Sequence, residues 1–134
     1  SSLILPNDEL LKKIVDVKEI LVKTSMNNGK IMIFGNGGSA AIASHVSVDL
    51  TKNAKIRSLN FNEADLITCF SNDYGYERWI EKAIDFYSEK EDSLILISVL
   101  IVLLSSSIIT KLFTPTPKSV GILTVVLKSP WLSA

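Results

Sequence analysis

Apolar residues in the first part of the chain fall at Leu10, Leu11, Ile14, Val15, Val17, Ile20 and Leu21. Spacings of three and four predict an amphipathic helix over residues 7–26. Asn7 or Asp8 can cap its start, and Asn27, Asn28 and Gly29 offer the left-handed conformations that stop it. Lys30-Ile31-Met32-Ile33-Phe34 then shows no alternation, as a parallel strand buried on both faces requires. It runs into Gly35-Asn36-Gly37-Gly38-Ser39, after which residues 40–50 read as a helix packed through Ala40, Ala43 and Val46. A second strand is expected over 56–61, a short helix over 64–70, and a turn over 71–75. Another helix over 77–88 carries the stripe Trp79, Ile80, Ala83, Ile84, Tyr87. Residues 94–97 and 122–127 complete four strands. Strands alternating with helices predict an α/β fold, a three-layer αβα sandwich with a parallel sheet.

The 134 residues allow one domain, and 47% apolar with 21% charged content excludes intrinsic disorder. Fourteen basic residues balance fourteen acidic ones, so no global field attracts nucleic acid or an acidic membrane. Any anion must be held locally. No basic leader opens the sequence, and the lone Cys69 cannot form an intrachain disulfide, so a cytoplasmic setting is expected. Cys69, within an apolar run, reads as a small core residue. Residues 93–110 carry no charge and are long enough to span a membrane. Their hydroxyl content, the lack of an aromatic belt and the strand-like start argue instead for a buried strand and no membrane partner.

The glycine turn carries the sharpest chemistry. A strand entering a helix through small residues leaves backbone N–H groups at the positive end of the helix dipole, where a phosphate can sit. Ser39 adds a hydroxyl and Asn36 an amide donor. A tight turn that only packs helix on sheet fits the same residues. So does G-x-G-x-x-A of dinucleotide folds, though Glu63 follows the second strand without cleanly ending it. His45 and Asp49, four apart on one helix, share a side and can hold a metal, a proton or only each other. Asn72-Asp73-Tyr74-Gly75-Tyr76 reads as a turn opening a helix, and Asn62-Glu63-Ala64-Asp65 as helix-start chemistry.

Taken in order, the run from Ile33 to Ala41, His45 with Asp49, and the run from Ser71 to Glu77 resemble the sugar-isomerase (SIS) domain of phosphoheptose isomerases. The similarity extends from about Leu10 to Ser98. The resemblance implies isomerisation of sedoheptulose 7-phosphate to a heptose 7-phosphate for lipopolysaccharide or capsule precursors. It implies that Asn36, Gly37, Gly38, Ser39, Asn72, Asp73 and Ser98 bind this sugar phosphate. It further implies that His45 and Asp49 ligate zinc, that Asp49 also contacts substrate and serves as base, and that the assembly is a homotetramer.

Three departures stand beside the resemblance. Asp49 replaces the family's usual Glu and is shorter by one methylene. After Ser98 the family's Ser/Thr/Gly phosphate loop is replaced by Val99-Leu100-Ile101-Val102-Leu103-Leu104. The family's last helical segment, with the Gln and His that complete the metal and acid–base site, does not follow, which leaves two of four expected ligands. The expected organisation is one phosphosugar-binding domain: an N-terminal helix over 1–29, a family-like core over 30–98, and a divergent tail over 99–134. That tail is expected to be truncated and to reflect a frameshifted, misread or degenerate gene segment, and resequencing the DNA would test this. The alternatives to an active enzyme are a non-catalytic module of the same fold that binds a phosphosugar or a replication initiator, and an inactive remnant.

Overall fold

Helix α1 spans Asp8–Met26. Asn7 caps it, its side-chain oxygen accepting from the amide of Leu10 at 2.8 Å, and Asp8 and Glu9 set negative charge at the positive end of the dipole. It ends at Asn27, and Asn28 alone of the three candidate residues takes a positive φ, 64°. The computed structural model describes residues 7–98 and the backbone of residues 121–126.

Strand β1, Ile31–Gly35, is buried throughout and feeds helix α2, Gly38–Lys52. Strand β2 is Ser58–Asn60, shorter than the expected 56–61, because the Ile56 amide donates to Leu50 O at the end of α2 at 3.0 Å and its side chain packs beneath that helix. Helix α3, Ala64–Tyr74, continues four residues past the predicted end and stops at Gly75. A single 3-10 turn, Tyr76–Arg78, leads into helix α4, Trp79–Tyr87. Strands β3, Ser93–Ser98, and β4, Gly121–Val126, complete the set, β4 one residue ahead of its expected range.

All pairings are parallel, in the order β2-β1-β3-β4. Side chains on alternate faces of β1 and β3 build two cores. Met32, Phe34, Leu94 and Leu96 meet Phe61, Trp79 and Ala83, with Leu66, Ile67, Phe70, Ile80 and Ile84 of α3 and α4 packed on them. Phe34 stacks on Phe61 with centroids 4.8 Å apart. On the other face Ile31, Ile33, Ile95 and Ile97 meet Ala43, Val46 and Leu50 of α2 and Leu21 of α1. Helices thus cover both faces of a parallel sheet, the three-layer sandwich expected.

Burial corrects two readings. The stripe of α1 packs mainly through Leu21, while Leu10, Leu11, Ile14, Val15 and Val22 remain exposed. Cys69 is exposed, not core, because α3 turns Leu66, Ile67 and Phe70 inward and leaves Cys69 on the outer side, with Sγ 3.8 Å from an Asp73 carboxylate oxygen. Residues 93–98 of the long uncharged run form a strand paired on both edges. Residues 99–120, including Val99 to Leu104, and residues 127–134 lie outside the described residues. Among the described residues no helix is long and apolar enough to cross a membrane.

Candidate functional site

From β1 the chain crosses through α2 to β2 on one side, then through α3 and α4 to β3 on the other. The strand order therefore reverses between β1 and β3. In open parallel sheets the crevice beyond the carboxyl ends of such strands is where ligands bind. Gly35 ends β1 and pairs with Ile97, so the glycine turn and Ser98 are neighbours at this end of the sheet. The connection places two segments together that lie sixty residues apart.

Within the turn, glycine meets different demands. A Cβ on Gly35 would lie 2.3 Å from the carbonyl oxygen of Ser39, so helix and strand approach too closely for any side chain. Gly37 has φ +56°, where L-residues are strained. Gly38 has neither constraint: a Cβ there would meet nothing within 4 Å. Its missing side chain leaves space beside the turn that no described residue fills.

The amide inventory narrows the expected cradle. Ser39 N–H donates to the carbonyl of Asn36 at 3.1 Å and Ala40 N–H to that of Gly37 at 3.0 Å, as the first turn of α2 tightens. The amides of Gly37 and Gly38 donate to no described residue. Among the described residues they, not the whole first turn, are the donors left for an oxyanion. Ser39 is buried, and its hydroxyl bonds to no described residue. Asn62 supports this turn from the β2–α3 connection, its Nδ2 donating to Ala40 O at 2.8 Å and to Ser44 Oγ at 3.2 Å. Composition alone could not single it out. Glu63 is exposed at the start of α3, three residues beyond β2, which ends in Asn60 and so lacks the strand-end acid of a dinucleotide site.

His45 and Asp49 do share a side of α2, with Nε2 3.3 Å from a carboxylate oxygen. Both are largely exposed, and the other carboxylate oxygen accepts from Asn53 Nδ2 at 3.1 Å. No group of three His, Cys, Asp or Glu suited to a metal occurs among the described residues. A zinc centre takes three or four protein ligands, so this pair by itself does not fit one.

Asn72 and Asp73 lie in the last turn of α3, not in a loop, because the helix persists to Tyr74. Both are exposed, and Asn72 Nδ2 donates to Asp73 Oδ1 at 3.1 Å. The residue of this motif that reaches the glycine turn is Tyr76, whose hydroxyl donates to Asn36 Oδ1 at 3.0 Å. Nearby, Glu81 is 4% exposed and accepts from Arg78 at 3.2 and 3.3 Å. These bonds and the carboxylate's charge raise the guanidinium above its ordinary value.

A family model described as SIS domain matches residues 6–100. A phosphoheptose isomerase of Helicobacter pylori (strain P12) is 38% identical over 96 residues, covering 67% of this chain and 48% of that protein. One of Aliarcobacter butzleri (strain RM4018) is 32% identical over 108 residues, covering 70% and 57%. The chain spans about half the length of the curated relatives it matches. Among solved structures, a phosphoheptose isomerase of Neisseria gonorrhoeae is similar in fold, with a TM-score of 0.74 at 24% identity over 86% of this chain and 61% of that one.

Proposed function

Because the chain belongs to the SIS domain family, we propose that the crevice at the ends of β1 and β3 binds a sugar phosphate for aldose–ketose isomerisation. The substrate in this reading is sedoheptulose 7-phosphate, converted to a glycero-manno-heptose 7-phosphate for lipopolysaccharide or capsule precursors. The observation that carries it is the pair of amides at Gly37 and Gly38 at the switch point, which donate to no described residue, Gly38 being a glycine that no described neighbour requires. Asn36 and Ser39 add donors from the turn, Ser98 from the end of β3, and Asn72 with Asp73 meet sugar hydroxyls. Asp49 takes a proton from one carbon and returns it to its neighbour. The exposed stripe of α1 supports association with further copies, a tetramer in this reading.

A binding module without turnover is the second reading. It is favoured by the exposed His45–Asp49 pair, whose carboxylate is already engaged by His45 and Asn53. Thermal unfolding with sedoheptulose 7-phosphate, followed by NMR detection of aldose, separates the two. Stabilisation with product supports the isomerase, and stabilisation without product supports the module. Absence of any stabilisation would overturn both.

A further inference from the structure

The bond between Tyr76 and Asn36 joins residues forty positions apart. Tyr76 opens the 3-10 turn that follows α3, on the α3–α4 face, whereas Asn36 precedes α2 on the opposite face. The contact therefore crosses the carboxyl end of the sheet, where the proposed site lies. It is the one hydrogen bond of the Asn36 side chain among the described residues, and likewise of the Tyr76 hydroxyl.

An asparagine amide has two ends of opposite character, an accepting oxygen and a donating NH2. With Tyr76 donating to Oδ1, the NH2 end remains for a ligand. The reverse arrangement, Nδ2 donating to the phenol, would leave the phenolic proton without a described acceptor and would present a carbonyl oxygen to the ligand. A carbonyl oxygen repels phosphate oxygens, whereas an NH2 group donates to them and to sugar hydroxyls. In the observed arrangement the phenol occupies the accepting end of the amide and leaves the donating end.

We propose that Tyr76 is a positioning residue that locks the Asn36 amide with its NH2 group available to the sugar phosphate. This rests on the phosphosugar reading of the crevice. Phenylalanine at 76 keeps the ring and removes the donor. Because Tyr76 is 50% exposed, Tyr76→Phe leaves the thermal midpoint of the free protein unchanged. It weakens sedoheptulose 7-phosphate binding about fivefold, the scale of one modest hydrogen bond. Asn36→Asp retains an acceptor for Tyr76 but replaces the NH2 group with an oxygen, and weakens binding more than Tyr76→Phe does. In an Asn36→Ala background, Tyr76→Phe causes no further loss, since the phenol acts only through the Asn36 NH2 group that the alanine has already removed.

Calorimetric titration of the full chain and these variants with sedoheptulose 7-phosphate reads all three effects. Wild-type affinity that Tyr76→Phe leaves intact, or a Tyr76→Phe loss that persists undiminished beside Asn36→Ala, overturns the positioning role alone. A wild-type protein that takes up no sugar phosphate overturns the phosphosugar reading and this inference together.

Discussion

Adjacent glycines in the turn separate folding from binding. Gly37 has φ 56° and ψ −123°, a region that strains any L-residue, whereas Gly38 faces open space. Gly37→Ala is expected to destabilise the fold by about 1–3 kcal/mol. Gly38→Ala should leave stability within about 0.5 kcal/mol, as substitutions away from structural demands do. Its methyl group would instead occupy ligand space and lower sugar phosphate affinity by at least about tenfold. Urea unfolding and calorimetric titration of both variants check this, and equal stability losses at the two positions would contradict it.

At the scale of elements, the amino ends of β1 and β3 are fastened by a buried ion pair far from the crevice. Asp92 has no exposed side-chain surface. It accepts from the Lys30 ammonium, the Lys30 amide at 2.8 Å and the Glu89 amide at 2.7 Å. Removing the carboxylate strands a lysine that is 12% exposed. Asp92→Ala should therefore cost roughly 3–5 kcal/mol in urea unfolding; a loss below about 1 kcal/mol would show the pair to be dispensable. The exposed Glu9–Lys13 pair near the start of α1 behaves differently. Lys13, by its hydrogen bond and then its charge, holds Glu9 below the ordinary 4.5. A depressed carboxyl contributes stability above its unfolded value and loses it as pH falls through its folded value. Thermal midpoints of wild type and Glu9→Gln should differ slightly at neutral pH and converge in acid.

For the whole molecule, the α1 stripe is an apolar surface that the described residues leave exposed, with Ile14 at 54% and Val15 at 50%. Association through it would explain why a helix of this pattern packs mainly through Leu21. Ile14→Asp is expected to convert an assembly to smaller species in light scattering while the circular dichroism spectrum stays native. A wild-type chain that is monomeric at micromolar concentration would refute this use of the stripe.

What the sequence determined by itself is local. Periodicity placed α1 and α4, the unbroken apolar runs marked β1 and β3, and i,i+4 spacing put His45 beside Asp49, since each depends only on neighbouring residues. The glycine turn was legible for the same reason. Helix ends were less so: turn-forming Asn72 and Asp73 masked the continuation of α3, which packs Leu66, Ile67 and Phe70 on the sheet. Tertiary structure alone decided that Cys69 faces outward, that Asn62 braces α2, and that Tyr76 meets Asn36. It also decided which amides of the turn the described residues leave unbonded. Those outcomes depend on how distant segments cross at the reversal between β1 and β3, and no window of contiguous residues contains that crossing.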